Sequence, residues 1–369
     1  MKTTRHSLMA KGIMVLLSLL VLIFAFTYSW FIVPPTSVSA TGITVSTSTQ
    51  VDFEVAIGFS SSDTRYAYTV SDFKTNENPI ILTAIPKTIG EDTKTYNLLR
   101  DYSPKDVTGN GAKLFIPVLT GDSPRTINKT TDSYTTVTPN KEYISFDMIF
   151  RSANACRVYL DTDSYVKAAC ESTPGDGHLT KTETTSVGTS LAYNDERRSG
   201  YGMFSADAVV GAVRVAFIDY TGLTLSDIDA DSALLLNSEP EVIWLPRPDV
   251  YLYNNNNASS GWELITGVTE GQTTATLADG TTEITLDDDT YTHRYYDLGV
   301  DGAHTIKAFT NTITECNADS IVSVNVYNDE DGLYYGKVRV NIWIEGTDAE
   351  ARRAISNGSF YVNFDLRAG

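Results

Sequence analysis

Three aspartates at alternate positions are the best candidate metal ligands in this 369-residue chain. Asp227, Asp229 and Asp231 place their carboxylates as the first half of an EF-hand loop does, and Ca²⁺ prefers such oxygen ligands. The second half departs from that pattern, because Ser232 stands where the loop needs glycine and Ser238 where it needs glutamate. The segment therefore predicts an irregular calcium site or, as the alternative, a solvated acidic turn.

Other catalytic chemistry has little support in the residue patterns. His178, His293 and His304 do not have the His-Glu-x-x-His or His-x-His spacing that holds zinc, so only folding could bring them together. No Gly-x-Ser-x-Gly nucleophile elbow occurs. We therefore expect a protein that is not an enzyme and has no resident cofactor, calcium excepted. A hydrolase whose site is assembled by folding is the alternative.

The spacing of two cysteines predicts a disulfide. Cys156 and Cys170 flank two runs of β-strand composition, separated by the turn-forming residues 161–164. A hairpin centred on Asp163 would place the two cysteines opposite each other, at disulfide distance. The alternative is a pair of half-buried free thiols, and Cys316 is expected to be one in either case.

The N-terminal 40 residues have the pattern of an export signal or a signal-anchor helix. Basic residues up to Lys11 precede an uncharged run over residues 12–33, close to the roughly 20 apolar residues that span a bilayer. Basic flanks favour a cytoplasmic N-terminus, so the remainder should be exported. Small residues at Val38-Ser39-Ala40 predict cleavage after Ala40. If the helix is uncleaved, it attaches the protein to the membrane.

Composition restricts the partners. The formal net charge of −18 and the sequence pI near 4.6 argue against nucleic acid, which binds basic surfaces. An acidic surface keeps an exported protein soluble. We expect an extracellular or cell-surface location, with either cell-surface components or other copies of this chain as partners.

The body, residues 41–369, has the pattern of half-buried antiparallel strands. Apolar residues alternate with polar ones in several segments, with Arg214, Arg339 and Asn341 facing away from the apolar side. The predicted core residues of these segments are Ile144, Phe146, Met148, Phe150, Val213, Val215, Phe217, Val338, Val340, Ile342, Ile344, Phe360, Val362, Phe364 and Leu366. The pattern predicts an all-β fold, an antiparallel β-sandwich of jelly-roll or Greek-key type.

Few departures from strand patterning occur in the body. A capping-box pattern predicts one short helix over residues 348–355. Polar insertions are expected near residues 171–200 and 254–290. Two sandwiches joined near residues 175–200 are the alternative to a single one.

The longest alternation lies directly after the export segment, from Gly42 to Phe59. One strand of that length would far exceed the usual five or six residues, so two strands of one sheet with a bend near Gln50 are expected. The alternative is that part of the segment pairs with a neighbouring subunit, since alternating side chains give a donated strand its register. The apolar residues that would set this register are Ile43, Val45, Val51, Phe53 and Val55.

The junction between the two regions resembles the camelysin/TasA-type exported proteins. The residues that carry the resemblance are a hydrophobic export segment that runs into a small-residue, Thr- and Ser-rich first strand, SVSATGITVSTST. The resemblance implies processing by a dedicated signal peptidase. It also implies jelly-roll subunits that assemble into biofilm matrix fibres by strand donation. No residue supports carrying over the protease activity attributed to camelysin-type members.

Two further functions are open alternatives to an exported fibre or matrix subunit. One is a membrane-anchored adhesin or glycan-binding module, with the polar insertions as its ligand surface. The other is a type IV pilin-like filament subunit, because Lys11-Gly12 directly before the apolar run is similar to a prepilin cleavage site.

Overall fold

The described part of the protein is mostly β-strand. The computed structural model describes residues 39–47, 53–59, 69–75, 80–82, 85–89, 92–96, 107–117, 134–139, 142–168, 171–174, 206–231, 236–255, 261–265, 274–276, 281, 283–285, 294–297, 305–308, 319–346 and 359–369. The export segment before residue 39, the predicted helix over 348–355 and much of both polar insertions lie outside these residues. The chain divides after Thr36, and Ser37–Gly369 forms one compact unit. Within the described ranges, no helix is long and apolar enough to cross a membrane.

Two large sheets contain the strands that position the sites discussed below. Sheet A is formed by β1 (Ser39–Thr47), β4 (Ile80–Leu82), β11 (Cys156–Leu160), β12 (Tyr165–Ala168), β21 (Val322–Val324) and β24 (Ser359–Ala368). Sheet B is formed by β2 (Phe53–Phe59), β3 (Thr69–Val70), β10 (Ile144–Ser152), β13 (Val213–Asp219), β14 (Val242–Trp244), β22 (Val326–Asn328) and β23 (Leu333–Ile344).

Smaller sheets and two short helical segments complete the described structure. The smaller sheets pair β5 (Ile85–Ile89) with β6 (Asp92–Tyr96), β7 (Thr108–Gly109) with β8 (Leu114–Pro117) and β9 (Tyr134–Thr136), β15 (Tyr251–Asn255) with β16 (Gly261–Ile265), β17 (Thr274–Thr276) with β18 (Glu283–Thr285), and β19 (Arg294–Asp297) with β20 (Thr305–Ala308). The helical segments are a 3₁₀ helix, Ala206–Ala212, and the single-turn helix α1, Leu225–Ile228.

Sheet A is arranged around the last strand. Its order is β21-β11-β24-β1-β4, with β12 also paired to β24. The first strand, β1, runs parallel to β24 from Ser39 opposite Ser359 to Thr47 opposite Leu366, and β4 covers the other edge of β1 in antiparallel register. The first and last strands of the body are therefore neighbours, and β1 is an interior strand of the sheet.

The hairpin predicted between Cys156 and Cys170 is wrong. Strands β11 and β12 do not pair with each other in register, because both bond to β24, with Val158 opposite Ala368 and Ala168 opposite Phe360. These contacts are eight residues apart on β24, roughly 26 Å at about 3.3 Å per residue. Cys156 is a free thiol, and Cys170 and Cys316 lie outside the described residues. The disulfide prediction thus loses its geometric basis.

The predicted core faces of sheet B are confirmed. Its order is β14-β13-β23-β10-β2-β3, with β22 beside β23. The alternate apolar residues of β10, β13 and β23 are 2% exposed or less, and they share one hydrophobic cluster with those of β24. The Phe217 ring of sheet B lies 5.7 Å from the Phe364 ring of sheet A, centroid to centroid. The two sheets therefore enclose a common core.

The long alternation of the opening segment forms two strands in different sheets. Strand β1 belongs to sheet A and β2 to sheet B, where β2 pairs with β10 and β3. The prediction that both strands belong to one sheet is therefore wrong. Ile43 and Val45 of β1 and Phe53 and Val55 of β2 face the shared core, which explains why their alternation continues from one strand to the next. Val51 lies outside the described residues.

Strands from both sides of residues 175–200 are mixed in each sheet. In sheet B, β10 bonds along its length to β23. In sheet A, β11 and β12 bond to β24. The strands before and after the polar insertion thus belong to the same two sheets.

Candidate functional site

The second face of sheet B is buried, although its residues are polar. Asp147, Arg214 and Lys337 have no solvent exposure, and Arg339 is 6% exposed. The alternation had indicated that this face points towards water. Residues 107–117 cover one part of this face, since the Gly346 N–H donates to the Val107 carbonyl at 2.7 Å and Val107 packs with Ala216 and Trp343. The part that contains Lys337 and Arg339 is covered by residues 220–231. Buried charges require oppositely charged or hydrogen-bonding partners, so this face contains the candidate site.

Three of these residues, Asp147, Lys337 and Arg339, form a cluster with Tyr220 and Asp231, here called the Asp147 cluster. Arg339 donates from Nε to Asp147 Oδ1 and from Nη2 to Asp147 Oδ2 at 3.2 Å. The Tyr220 hydroxyl donates to Asp147 Oδ1 at 2.7 Å and accepts from Arg339 Nη2 at 2.9 Å. Arg339 Nη2 also lies 3.3 Å from Asp231 Oδ1. One carboxylate thus holds strand β10 to β23 and to the end of β13.

The ammonium of Lys337 occupies a cradle of oxygen atoms. Its Nζ donates to the carbonyls of Asp227, at 2.8 Å, and of Ala230, and lies 3.5 Å from Asp147 Oδ2. The Asp227 carbonyl is one of the last carbonyls of α1, which have no partner within a helix, and Ala230 lies just after the helix. The first residues of this turn are fixed by a capping box in which the Thr224 N–H donates to Asp227 Oδ2 at 3.0 Å, and the Thr224 hydroxyl donates to the same oxygen at 2.5 Å.

Burial dominates the electrostatics of the cluster. It lowers the pKa of Lys337, since an uncompensated ammonium is costly away from water, and the Asp147 carboxylate opposes this effect. Burial also raises the pKa of the Tyr220 hydroxyl, and the negative charge of Asp147 adds to the rise. Burial would lower the pKa of Arg339, but Asp147 outweighs it and the net direction is upward. The two cations face two carboxylates, so the formal charges balance.

The three candidate calcium ligands are not gathered into a site. Asp227 uses its carboxylate to cap α1, and hydrogen bonds from Thr224 hold its pKa below the usual range. Asp231 faces Arg339, and Asp229 is exposed. No group of three His, Cys, Asp or Glu side chains able to hold a metal occurs within the described part of the chain. The carbonyl oxygens of this turn are bound by Lys337.

A second buried ion pair, here called the Arg247 clamp, lies after β14. Arg247 Nη1 donates to both carboxylate oxygens of Glu171, at 2.8 and 3.0 Å, and Glu171 Oε2 also accepts from the Ala168 N–H at 2.8 Å. Asp249 binds the other edge of the guanidinium, at 2.8 and 3.0 Å. The clamp ties the end of β12 in sheet A to the segment that follows β14 in sheet B.

The outer face of sheet A carries an exposed aromatic ring. Tyr361 on β24 is 39% exposed, and its ring lies beside Gly42 of β1. The Lys167 ammonium of β12 lies 5.6 Å from the centroid of this ring, in the range of a cation–π contact. The arrangement offers an exposed aromatic ring with an ammonium group over it.

Sequence reasoning did not single out the Asp147 cluster. Asp147 is the only charged residue of the otherwise apolar segment Ile144–Phe150, which was the available signal. No sequence signal marks Tyr220, because its role depends on a turn that folds back over β10. His178, His293 and His304 lie outside the described residues.

Comparison with known proteins gives no family assignment: no protein-family model, curated protein or solved structure matches the chain significantly.

Proposed function

We propose that the chain is a non-enzymatic, exported surface protein that assembles into an extracellular fibre or biofilm matrix by exchanging its first strand. The carrying observation is the position of β1, which fills a slot in sheet A between β24 and β4. Ile43 and Val45 insert into the core from this strand with no exposure. Because β1 is the first strand of the body, it can leave and be replaced by the β1 of another subunit without threading the chain.

The predicted cleavage after Ala40 is compatible with such an exchange. The register between β1 and β24 shifts between Ala40 and Gly42, and from Gly42 to Thr47 it runs without interruption. Cleavage would remove only the two pairs before the shift. The mature strand would keep its continuous ladder and both buried apolar anchors.

The core shared by the two large sheets supports the proposal further. We propose that these sheets form a β-sandwich of the jelly-roll or Greek-key type. If a strand is absent from such a fold, an open slot lined by apolar residues remains in the sheet. A complementary strand from another subunit can fill this slot. The acidic charge keeps free subunits soluble until they dock.

The exposed ring of Tyr361 favours a second candidate, a membrane-anchored adhesin or glycan-binding module. Sugar rings pack their apolar faces on aromatic side chains, and the Lys167 ammonium near this ring can donate to hydroxyl groups. Replacement of Tyr361 by alanine should abolish glycan binding under this hypothesis and leave fibre formation intact.

N-terminal sequencing of the protein recovered from the cell surface separates the alternatives. A mature start at Thr41 supports strand exchange, an intact N-terminus supports the anchored adhesin, and a start at Ile13 supports the pilin-like filament. Negative-stain electron microscopy of the mature protein should then show fibres. A homogeneous population of monomers after processing would contradict the fibre.

A further inference from the structure

Lys337 and Asp147 are placed as reactants at the centre of sheet B. Lys337 Nζ lies 3.5 Å from Asp147 Oδ2, and neither side chain is exposed to solvent. They stand on the same face of adjacent antiparallel strands, since Asp147 pairs with Arg339 and Ile149 with Lys337. The amine and the carboxyl group are therefore held side by side in a water-poor site, where an intramolecular reaction avoids the entropic cost of bringing two groups together.

We propose that Lys337 and Asp147 condense into an intramolecular amide that links β23 covalently to β10. The new bond joins Lys337 Nζ to Asp147 Cγ, and the bond from Cγ to Oδ2 breaks. Two protons leave the ammonium and combine with Oδ2, which departs as water. One ammonium and one carboxylate thus become one neutral amide and one water molecule, and no oxidant or other reactant is needed.

The surroundings of Lys337 favour the neutral amine in an attacking orientation. A neutral amine has two protons, and two carbonyl acceptors, of Asp227 and Ala230, lie within hydrogen-bond distance of Nζ. With its protons held there, the amine lone pair faces the third neighbour, the carboxyl group of Asp147. Burial lowers the pKa of this lysine, which assists the loss of the first proton.

The carboxyl group is polarised from the opposite side. Arg339 Nε and the Tyr220 hydroxyl both donate to Asp147 Oδ1, the oxygen that becomes negative in the tetrahedral intermediate. Preorganised donors of this kind stabilise an oxyanion. After condensation Arg339 keeps Asp231 as its counter-ion, so no unbalanced charge is left. Asp231 is 39% exposed, which opens the cluster to solvent for the departing water.

Tandem mass spectrometry of a tryptic digest tests the link in the protein purified from its natural host. Trypsin separates residues 142–151 from residues 308–337 when Lys337 is free. In the linked protein Lys337 is protected, and we expect residues 142–151 joined to residues 308–339, lighter than the two peptides together by the mass of one water. Recovery of both peptides unlinked, with cleavage after Lys337, would overturn the proposal.

A charge-preserving variant identifies the bond. Lys337→Arg keeps a cation at this position but cannot form the amide, so the linked peptide should disappear. A linked pair that persists in this variant would place the bond elsewhere and contradict the proposal. The Arg247 clamp is the internal control: it is equally buried, but its peptides should be recovered unlinked, because arginine does not condense with Glu171. Since the wild-type digest is decisive by itself, the test does not depend on the variant folding.

Discussion

At the scale of single residues, each buried charge on sheet B is stabilised by the charged and polar groups around it. Removal of an ion from water costs several kcal/mol, so a carboxylate such as Asp147 is tolerated only where donors surround it. Asp147 has Arg339, Tyr220 and Lys337 as neighbours. The stability of the cluster therefore depends on its completeness, and loss of one member leaves the others without compensation.

Arg339→Leu should destabilise the protein strongly. Loss of one partner of a buried ion pair typically lowers the free energy of unfolding by about 3–5 kcal/mol, and urea-induced unfolding measures this change. The control is Glu54→Gln, since Glu54 and Arg151 form an ion pair that is about one-third exposed on each side. That variant should change stability by about 1 kcal/mol or less. Equal losses of unfolding free energy in the two variants would contradict the claim that burial makes the Arg339 ion pair more important than the exposed pair.

Asp219 should make stability fall as the pH rises from about 4 to about 6. Burial raises its pKa to about 6 in the folded protein, above the usual 3.8. Between the two values the folded state binds more protons than the unfolded state, so deprotonation at higher pH favours unfolding. Asp219→Asn keeps an acceptor for the Tyr220 N–H and removes the titration. Urea unfolding across this pH range should show a smaller decline in the variant.

Asp331 provides a control of opposite sign. A hydrogen bond from the Tyr335 hydroxyl, at 2.6 Å, lowers the pKa of Asp331 below 3.8 in the folded state. The stabilisation from the ionised Asp331 carboxylate is present above its usual pKa and is lost as the pH falls towards its lowered pKa in the folded state. Asp331→Asn should therefore reduce the loss of stability below pH about 4 and leave the Asp219 effect unchanged. The same response from both variants would exclude the assignment of the decline to Asp219.

At the scale of elements, the segment that covers sheet B depends on a glycine. Gly111 has φ +92°, and a Cβ atom there would lie 2.2 Å from the Cβ of Ala216. Its carbonyl accepts from Asn341 Nδ2 at 2.8 Å, which fixes the segment against β23. Gly111 is thus the point at which the covering segment comes closest to the sheet.

Gly111→Ala should cost more stability than Gly222→Ala. Both positions have positive φ, which costs an alanine roughly 1–2 kcal/mol, but a Cβ at Gly222 meets no atom within 4 Å. The clash at Gly111 adds an overpacking cost of about 1–3 kcal/mol. Urea unfolding of the two variants measures the difference. Equal losses would show that the covering segment is not held tightly to the sheet.

The strands and their core faces could be predicted from the sequence, because alternation is a local signal. Phe146, Val340 and Phe364 were predicted to be core residues and are buried. The burial of Arg339 could not be predicted, since it depends on Tyr220 and Asp231 of a segment that folds back over the sheet. Partner choice is equally non-local. Alternation alone does not show that β1 and β2 belong to different sheets. Nor does it show that β11 and β12 both pair with β24.

At the scale of the whole molecule, the proposed function depends on the contact between the first strand and the last. Main-chain bonds between β1 and β24 are independent of sequence, so a slot that accepts the chain's own β1 accepts the same strand from an identical subunit. When each subunit donates β1 to one neighbour and receives a β1 from another, the contact is heterologous. Such contacts produce open filaments when the rotation between subunits does not close a ring.

Mixed disulfide trapping between β1 and β24 tests strand exchange most directly. Thr44 lies opposite Asn363, so Thr44→Cys in one subunit and Asn363→Cys in another, with the native cysteines replaced by serine, should form a disulfide-linked dimer during assembly. Glu54→Cys mixed with Asn363→Cys should give none, because β2 stays in its own sheet. If only the double variant Thr44→Cys/Asn363→Cys forms a disulfide, and only within one chain, the strand is never exchanged and the proposed assembly is wrong.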